Sequence, residues 1–509
     1  MFDPVTNQPD FPRLEGAIRA LWDREGTFAE SLKLRRGAAE YVFYDGPPFA
    51  TGLPHYGHLL AGTIKDIVPR YQTMRGHYVD RRFGWDCHGL PVEVEVEQEL
   101  GISGKTQIEE LGVDKFNETC RGIVLRYTRE WRAIVTRMGR WVDFDRDYKT
   151  MDPKYMESIW WVFKSLWEKD LVYEGMKILP YCPRCATPLS NFETNQGYEE
   201  VTDPAITVRF KVEGADNTYI LAWTTTPWTL PSNMALAVGG GIRYARVKDK
   251  DAIYILAADR VAAYWKHQEH EILETLAGAD LAGLRYAPLF PYFADMKNAG
   301  AFRVVAGDFV STEEGTGVVH IAPGFGEDDY RLGLAENIPA VCPVDETGRF
   351  TAEVGDYAGR EVKETDADIM ARLKAEGRLV RRGTIAHTYP HCWRCEKPLI
   401  YRAVSTWFVR VERIRDRIVA ANAQVRWVPG HLKGGRFGKW LEGARDWAVS
   451  RNRYWGAPLP LWRSDDGAET VCVGSMAELA RLSGTAVADL HKHVVDKVTI
   501  PSARGKGAL

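Results

Sequence analysis

The sequence predicts an α/β protein, a parallel sheet with helical crossovers, opened partway along the chain by a β-rich insertion. Three observations carry that expectation. A short β-prone run, Tyr41-Val42-Phe43-Tyr44, breaks at Asp45-Gly46-Pro47-Pro48 and gives way after Gly57 to helical spacing of Leu60, Ile64, Ile67 and Val68. Strand, tight Gly/Pro loop and helix in that order form the first half of a parallel βαβ unit. From Ala205 to about residue 350 the chain reads instead as short strands (AITVRF, TYILAW, AIYILA, FRVVAG, GVVHIAP) punctuated by Gly and Pro. Two Cys-x-x-Cys pairs, Cys182–Cys185 and Cys392–Cys395, flank that stretch, with Cys185 and Cys392 207 positions apart.

The elements follow in order. Leu14, Ile18, Leu21 and Trp22 recur at helical spacing, so an amphipathic helix opens the chain over 11–30. Pro69 is expected to end or kink the helix that starts near Gly57, because it lacks an N–H and crowds the preceding turn. A second β-prone stretch, His77 to Phe83, runs into Gly84-Trp85-Asp86-Cys87-His88-Gly89, and helices are expected over about 114–139, 153–169 and 364–377. Domain expectations are 1–180 for the opening helices and first half of the nucleotide-binding fold, 181–400 for the insertion, and 401–509 for the return to the core.

Composition bounds the function. A chain of 509 residues exceeds one ordinary domain, and 45% apolar with 27% charged residues excludes a disordered or collagen-like chain. The net charge of −3 does not announce nucleic acid, so such a partner would be held by local patches such as Arg381-Arg382, Arg402, Arg445, Arg451 or Arg453, each of which also reads as a solvated surface arginine. No apolar run approaches the roughly 20 residues of a membrane span, and the acidic, proline-containing start does not resemble a signal peptide. Eight cysteines are too few for a disulfide framework at this length; the expected location is cytoplasmic, and the paired spacing points to a tetrahedral, structural Zn²⁺ site on Cys182, Cys185, Cys392 and Cys395. Four thiolates leave no open position for catalysis, and His391 is a minor competing ligand. Cys87, Cys120, Cys342 and Cys472 read as packing residues.

His55-Tyr56-Gly57-His58 sits where loop becomes helix. A helix N-terminus offers unpaired N–H groups and a positive dipole end to phosphate, and His55 and His58, three apart, can face one side. Two imidazoles there can stabilise charge at an attacked phosphorus without shuttling protons. Taken alone the tetrad also reads as an exposed turn. Gly101-Ile-Ser-Gly104-Lys105-Thr106 has the wrong glycine spacing for a Walker loop.

The run from Asp45 to His58 resembles the HIGH signature of class I aminoacyl-tRNA synthetases. Gly84 to Glu93 (GWDCHGLPVE) is similar to the isoleucyl branch, and Ser450-Arg-Asn-Arg453-Tyr-Trp-Gly456 resembles another block of the class I family. Arg463-Ser-Asp-Asp-Gly467, where some bacterial relatives carry a second zinc knuckle, resembles the eukaryote-like subgroup with one zinc. The resemblance implies a Rossmann-type (HUP-like) catalytic fold, first half, with an inserted editing domain. It implies a ligase that activates isoleucine with ATP and Mg²⁺ and transfers it to tRNA(Ile), acting as a monomer. His55, Gly57 and His58 would hold ATP, the backbone of Gly46 and Pro47 would line the amino-acid pocket, and Asp86 would hold the substrate ammonium. On local pattern alone Asp86 is as readily a helix N-cap.

A pocket gains only about 1–3 kcal/mol from one methylene, a general limit for which isoleucyl enzymes facing valine are already the established illustration, so a second, hydrolytic sieve is implied. The resemblance places it on Thr224, Thr225, Thr226, Thr229, His320 and Asp329, with Asp329 on the α-amino group, the threonine hydroxyls on the ester and a water, and His320 excluding isoleucine. Without it, the threonines read as strand and the histidine as core. A second half with a KMSKS loop is also implied; no such segment occurs before Leu509, so an N-terminal portion that does not charge tRNA by itself is expected. A stand-alone tRNA-editing module and a nucleotidyltransferase acting on a small molecule are the competing readings.

Overall fold

The computed structural model describes residues 8–266, 268–504 and 509. The start over 1–7 and half of the polar end, 505–508, lie outside them. The chain divides into two compact units, Met1–Lys169 with Arg453–Leu509, and Asp170–Asn452.

In the first unit the strand Arg82–Trp85 runs parallel to Asp143–Lys149, with Gly84 opposite Tyr148. The segment expected as a strand at 41–44 is extended but forms only parallel bridges at its flanks, Glu40 to Tyr78 and Phe49 to Asp86. Two causes are visible. Val42 and Tyr44 face solvent, and Pro47 and Pro48 have no N–H to give a ladder. The helix Tyr56–Met74 does not stop at Pro69. The Pro69 carbonyl receives Thr73 Oγ1 (2.9 Å) and Arg81 Nη2 (3.0 Å), which hold the last turn beyond the proline. This helix leaves Leu60, Ile64, Ile67, Tyr71 and Met74 exposed among the described residues. The single helix expected over 114–139 is two, Val113–Ile123 and Thr128–Arg137. The break is used: Tyr127 donates its N–H to Ala50 O (3.2 Å), fixing the loop ahead of the phosphate turn.

The core of this unit gathers Phe83, Trp85, Val92, Val96, Phe116, Trp131 and Trp455. Within it Glu93, 1% exposed, sits on the helix Leu90–Leu100 and accepts the N–H groups of Tyr454 (2.9 Å) and Trp455 (2.8 Å), with Arg453 Nη1 at 3.2 Å. One carboxylate therefore ties residues 453–455 to residues 90–100. Removing it takes the acceptor from two N–H groups and breaks the ion pair with half-buried Arg453, so Glu93→Ala is expected to cost about 3–5 kcal/mol, read as a lower urea midpoint, with Glu93→Gln losing less.

The second unit holds a nine-stranded sheet. Its path runs Glu271–Ala277, Arg243–Asp249, Ala252–Ala257, Thr218–Thr224, Val318–Ile321, Ala235–Val238, Arg303–Ala306, and Tyr198–Lys211 pairs both Thr218–Thr224 and Leu379–Pro390. Each of the five β-prone runs expected between Ala205 and about residue 350 lies on it. A second sheet pairs Val172–Cys182 with Ile400–Val409, in register from Tyr181/Ile400 to Val172/Val409. The boundaries expected at 181 and 400 thus fall within a continuous ladder, and the unit extends to 170 and 452.

Candidate functional site

In the first unit His55 is the N-cap of the helix Tyr56–Met74, with extended backbone. Its ring stacks on that of His58, centroids 3.7 Å apart, and His58 meets the edge of Trp131 at 4.9 Å. Trp131 in turn donates to Gly52 O (2.7 Å). A Cβ on Gly57 would lie 2.9 Å from His55 Cε1, so only glycine lets that ring fold over the turn. The His55 N–H donates to His58 Nδ1 (3.2 Å), which leaves the ring proton of neutral His58 on Nε2. Burial, then His55 and Lys65, push the His58 pKa down, favouring that neutral form. Among the described residues the amides of Tyr56 and Gly57 have no partner. The turn is a set of donors around a helix N-terminus.

Gly46 and Pro47 lie in the loop before it. Asp45 is paired with Lys65 and with Arg140 Nη2 (2.9 Å), and Lys65 Nζ also reaches Gly46 O (3.3 Å). Asp86 joins this loop directly, donating its N–H to Pro48 O (2.8 Å). It is not an N-cap; Gly89 caps the following helix. Burial raises the Asp86 pKa, opposed by the His88 N–H, the Thr150 hydroxyl and the Cys87 N–H. A half-buried carboxylate, without a cationic partner among the described residues, is thus held by three donors beside the Gly46–Pro48 loop. Lys65, Arg140, Thr150 and Trp131 are the supporting residues that the sequence pattern does not reveal, because none lies within a motif.

In the second unit a cavity of about 430 Å³ is lined by Thr224, Thr225, Thr226, Thr229, His320 and Asp329. The six residues thus come together from the end of the strand Thr218–Thr224, the link at 225–226, the 3₁₀ turn Pro227–Ser232, the strand Val318–Ile321 and the helix Glu327–Glu336. Asn233 fixes the state of His320. Its Oδ1 takes the Tyr286 hydroxyl (2.7 Å), so its Nδ2 donates to Ala235 O (2.8 Å) and to His320 Nδ1 (2.8 Å). The His320 proton therefore sits on Nε2 and is given to Thr229 Oγ1 (3.0 Å), which donates to Thr226 O (2.8 Å). Burial holds the His320 pKa down at about 3. His320 is a neutral wall with both nitrogens engaged, unsuited to act as a base. The hydroxyls of Thr224, Thr226 and Thr229 bond to one another, whereas that of Thr225 has no partner among the described residues. Asp329 accepts the Ala322 N–H (2.8 Å), and burial lifts its pKa to about 6. Asp366 accepts the Trp228 N–H (2.8 Å) and so anchors the 3₁₀ turn, with burial lifting it to about 7. Asn233, Tyr286 and Asp366 escaped sequence reasoning because each acts across 50 or more positions.

The four cysteine sulfurs lie within 4.8 Å of one another, with Cys395 at 3.5 Å from Cys182 and 3.6 Å from Cys185. A zinc ion with Zn–S of about 2.3 Å sets its sulfurs about 3.8 Å apart, so the cluster fits a tetrahedral ion and is far too open for a disulfide. His391 is turned to Tyr389 O (3.1 Å) and stands outside the cluster. Of the arginines considered for RNA, Arg445 pairs with Glu327, Arg453 with Glu93, and Arg402 donates to Asp345 O (2.9 Å).

A family model described as tRNA synthetases class I (I, L, M and V) matches residues 17–509. The chain is 56% identical to the isoleucine–tRNA ligase of Treponema denticola, over all of this chain and 49% of that one. It is 54% identical to that of Bdellovibrio bacteriovorus, over 100% of this chain and 48% of the other. With the cytoplasmic isoleucine–tRNA ligase of Mus musculus the identity is 52%, over 100% and 41%. The chain spans about half the length of the curated relatives it matches.

Proposed function

We propose that this chain, which belongs to the class I tRNA synthetases of the I, L, M and V group, carries the first catalytic half and the proofreading domain of an isoleucine–tRNA ligase. In that reading the substrates are isoleucine, ATP with Mg²⁺ and tRNA(Ile), and the setting is the cytoplasm, with the ligase acting as a monomer. Among the described residues no helix is long and apolar enough to cross a membrane. The observation that carries the reading is the pairing of a helix-N-terminal donor cluster with a half-buried carboxylate lacking a cation, in a chain 56% identical to a ligase of that name.

Asp86 holds the isoleucine ammonium, whose charge favours the ionised carboxylate that burial disfavours. The backbone of Gly46 and Pro47 lines the pocket. His55, Gly57 and His58 receive the ATP phosphates; His58 donates from Nε2 and stays neutral, so it stabilises charge without giving up a proton. The isoleucine carboxylate attacks the α-phosphorus, pyrophosphate leaves, and no general base is needed. Mg²⁺ bound with the ATP would neutralise charge on its phosphate oxygens. Cys182, Cys185, Cys392 and Cys395 hold one structural zinc. In the second unit Asp329 holds the ammonium of a valyl ester, Thr225 donates to the ester end, and the His320 wall with Thr224, Thr226 and Thr229 limits the size of side chain that enters.

The test is amino-acid-dependent pyrophosphate exchange by the full-length protein across isoleucine, valine and leucine. Isoleucine is expected to support the highest kcat/KM, and His58→Ala to lower it about a hundredfold. Preference for valine or leucine, or exchange indifferent to His58, overturns the assignment.

A further inference from the structure

Asp489-Leu490-His491-Lys492-His493 lies outside the motifs of the phosphate turn and the amino-acid pocket, yet it packs on the loop that carries Asp86. His491 is fully buried and lies flat on Trp455, ring centroids 4.3 Å apart and planes 9° from parallel. Both of its ring nitrogens are engaged. Nδ1 meets Asp489 Oδ1, and the other oxygen of that carboxylate takes Arg121 Nη2. Nε2 lies 2.9 Å from Nε2 of His88, 403 positions earlier in the chain. Burial opposes ionisation of Asp489, but hydrogen bonds from His491 and the charge of Arg121 outweigh it and hold the carboxyl well below its ordinary range. An ionised carboxylate only accepts, so the proton of the neutral His491 ring is on Nδ1 and its Nε2 is an acceptor. His88 therefore donates from Nε2. Burial, then His491 and Arg121, push the His88 pKa down to about 3, so that ring is neutral and its one proton is the one in the bond.

Residues 87–89 belong to no helix or strand, and Gly89 stands at φ +95. Contacts from elsewhere fix this turn. Thr150 Oγ1 accepts the Cys87 N–H (2.8 Å), Trp455 O accepts the Gly89 N–H (3.1 Å), and Trp455 Nε1 donates to Cys87 O. His491 backs the Trp455 indole and holds the His88 ring, which has no other hydrogen bond among the described residues. The segment is also tied down apart from that bond, since His493 accepts Asn117 Nδ2 at Nδ1 (3.0 Å) and faces Glu118 Oε1 with Nε2 (3.2 Å). We propose that His491 is a positioning residue for amino-acid binding: through His88 and Trp455 it sets the 87–89 turn, and with it the Cys87 and His88 N–H groups that aim the Asp86 carboxylate at the substrate ammonium. This role rests on the reading of Asp86 given above. An N–H that loses its acceptor inside a protein is driven to seek another, and misplacing a binding group by about 1 Å costs up to about a hundredfold.

The test is pyrophosphate exchange by the full-length protein, with KM for isoleucine, KM for ATP and kcat measured separately. His491→Phe keeps a flat ring on Trp455 and removes both nitrogens. KM for isoleucine is expected to rise about tenfold, with KM for ATP within about twofold of wild type. His491→Gln restores an acceptor for His88 and is expected to recover most of the loss. His88→Phe breaks the same bond from the other side and is expected to match His491→Phe, and the double variant to be no worse than either single one. Having a variant on each side of the bond keeps the test decisive if one of them folds poorly, which circular dichroism and urea melts report. Unchanged KM for isoleucine in either folded variant, a parallel rise in KM for ATP, or additive effects in the double variant would each overturn the role of His491. Asp86→Asn is measured alongside. If it leaves KM for isoleucine unchanged, the reading of Asp86 falls and the positioning role with it; a rise in Asp86→Asn without one in His491→Phe removes the positioning role alone.

Discussion

Asp329→Asn is expected to lower hydrolysis of valyl-tRNA(Ile) about a hundredfold or more while making the second unit more stable at pH 8. Both effects have one cause. Burial outweighs the N–H donors of Ala322 and of Asp329 itself, and Asp328 adds like charge, so the pKa of the carboxylate stands at about 6 against 3.8 when solvated. Ionising it in the folded protein therefore costs stability. The sign follows: below about pH 3.8 the group is protonated in folded and unfolded chains alike, the folded state loses stability as pH rises from there to 6, and the full penalty persists above. At about 1.4 kcal/mol per pKa unit the upper bound is about 3 kcal/mol. Asparagine keeps an acceptor for Ala322 and carries no charge. Urea melts of wild type and variant are expected to coincide near pH 4 and to separate above pH 6, with the variant the more stable.

Function runs the other way. On the proposed reading an ionised Asp329 attracts the ester's ammonium, so KM for the misacylated tRNA is expected to rise below about pH 6 as the carboxyl protonates. It is expected to rise again above roughly pH 8 as the α-amino group loses its proton. In the asparagine variant the acid limb disappears and kcat/KM falls about a hundredfold or more, the scale expected when a buried charge pair is lost. A variant that hydrolyses at the wild-type rate, or that is less stable at pH 8, contradicts the assignment of the ammonium to this residue.

Stripping the metal is the second large perturbation. The chain is expected to bind one zinc, released by a chelator, and Cys395→Ser to lose it. The four sulfurs lie within 4.8 Å of one another, the spacing that a tetrahedral ion needs. Zinc is therefore expected to stabilise this end of the unit by several kcal/mol, as structural sites do. Hydrogen exchange should locate the effect: amides near Cys182–Leu189 and His391–Leu399 exchange about tenfold faster or more without metal, while the nine-stranded sheet stays protected. Uniform exchange in both states, or a full metal complement in Cys395→Ser, would argue against a four-cysteine site.

Much of this molecule is legible in its residues taken locally. The helix beginning at Tyr56 follows from the spacing of Leu60, Ile64 and Ile67, and the strands of the second unit from alternating β-branched runs such as Val318–Ile321. What local pattern misjudged has identifiable causes. Pro69 does not end its helix because Arg81, twelve residues on, reaches its carbonyl. Tyr41–Tyr44 forms no ladder because Val42 and Tyr44 face solvent and Pro47 and Pro48 have no N–H to give. The long helix expected over 114–139 divides because Tyr127 bonds to Ala50.

Residue type and short-range spacing by themselves determined the chemistry on offer here: thiolates in pairs, imidazoles on a helix start, threonines ahead of a proline. Those are properties of neighbours in the chain, and periodicity encodes them directly. Only the tertiary structure decided which of these groups carry charge or remain available. Desolvation and hydrogen bonding come from distant partners: Tyr286 and Asn233 make His320 neutral, burial lifts Asp329, and strand pairing from 172 to 409 accompanies the meeting of sulfurs 213 positions apart. Protonation states and free hydroxyls depend on what surrounds a group in three dimensions, which no stretch of sequence specifies alone.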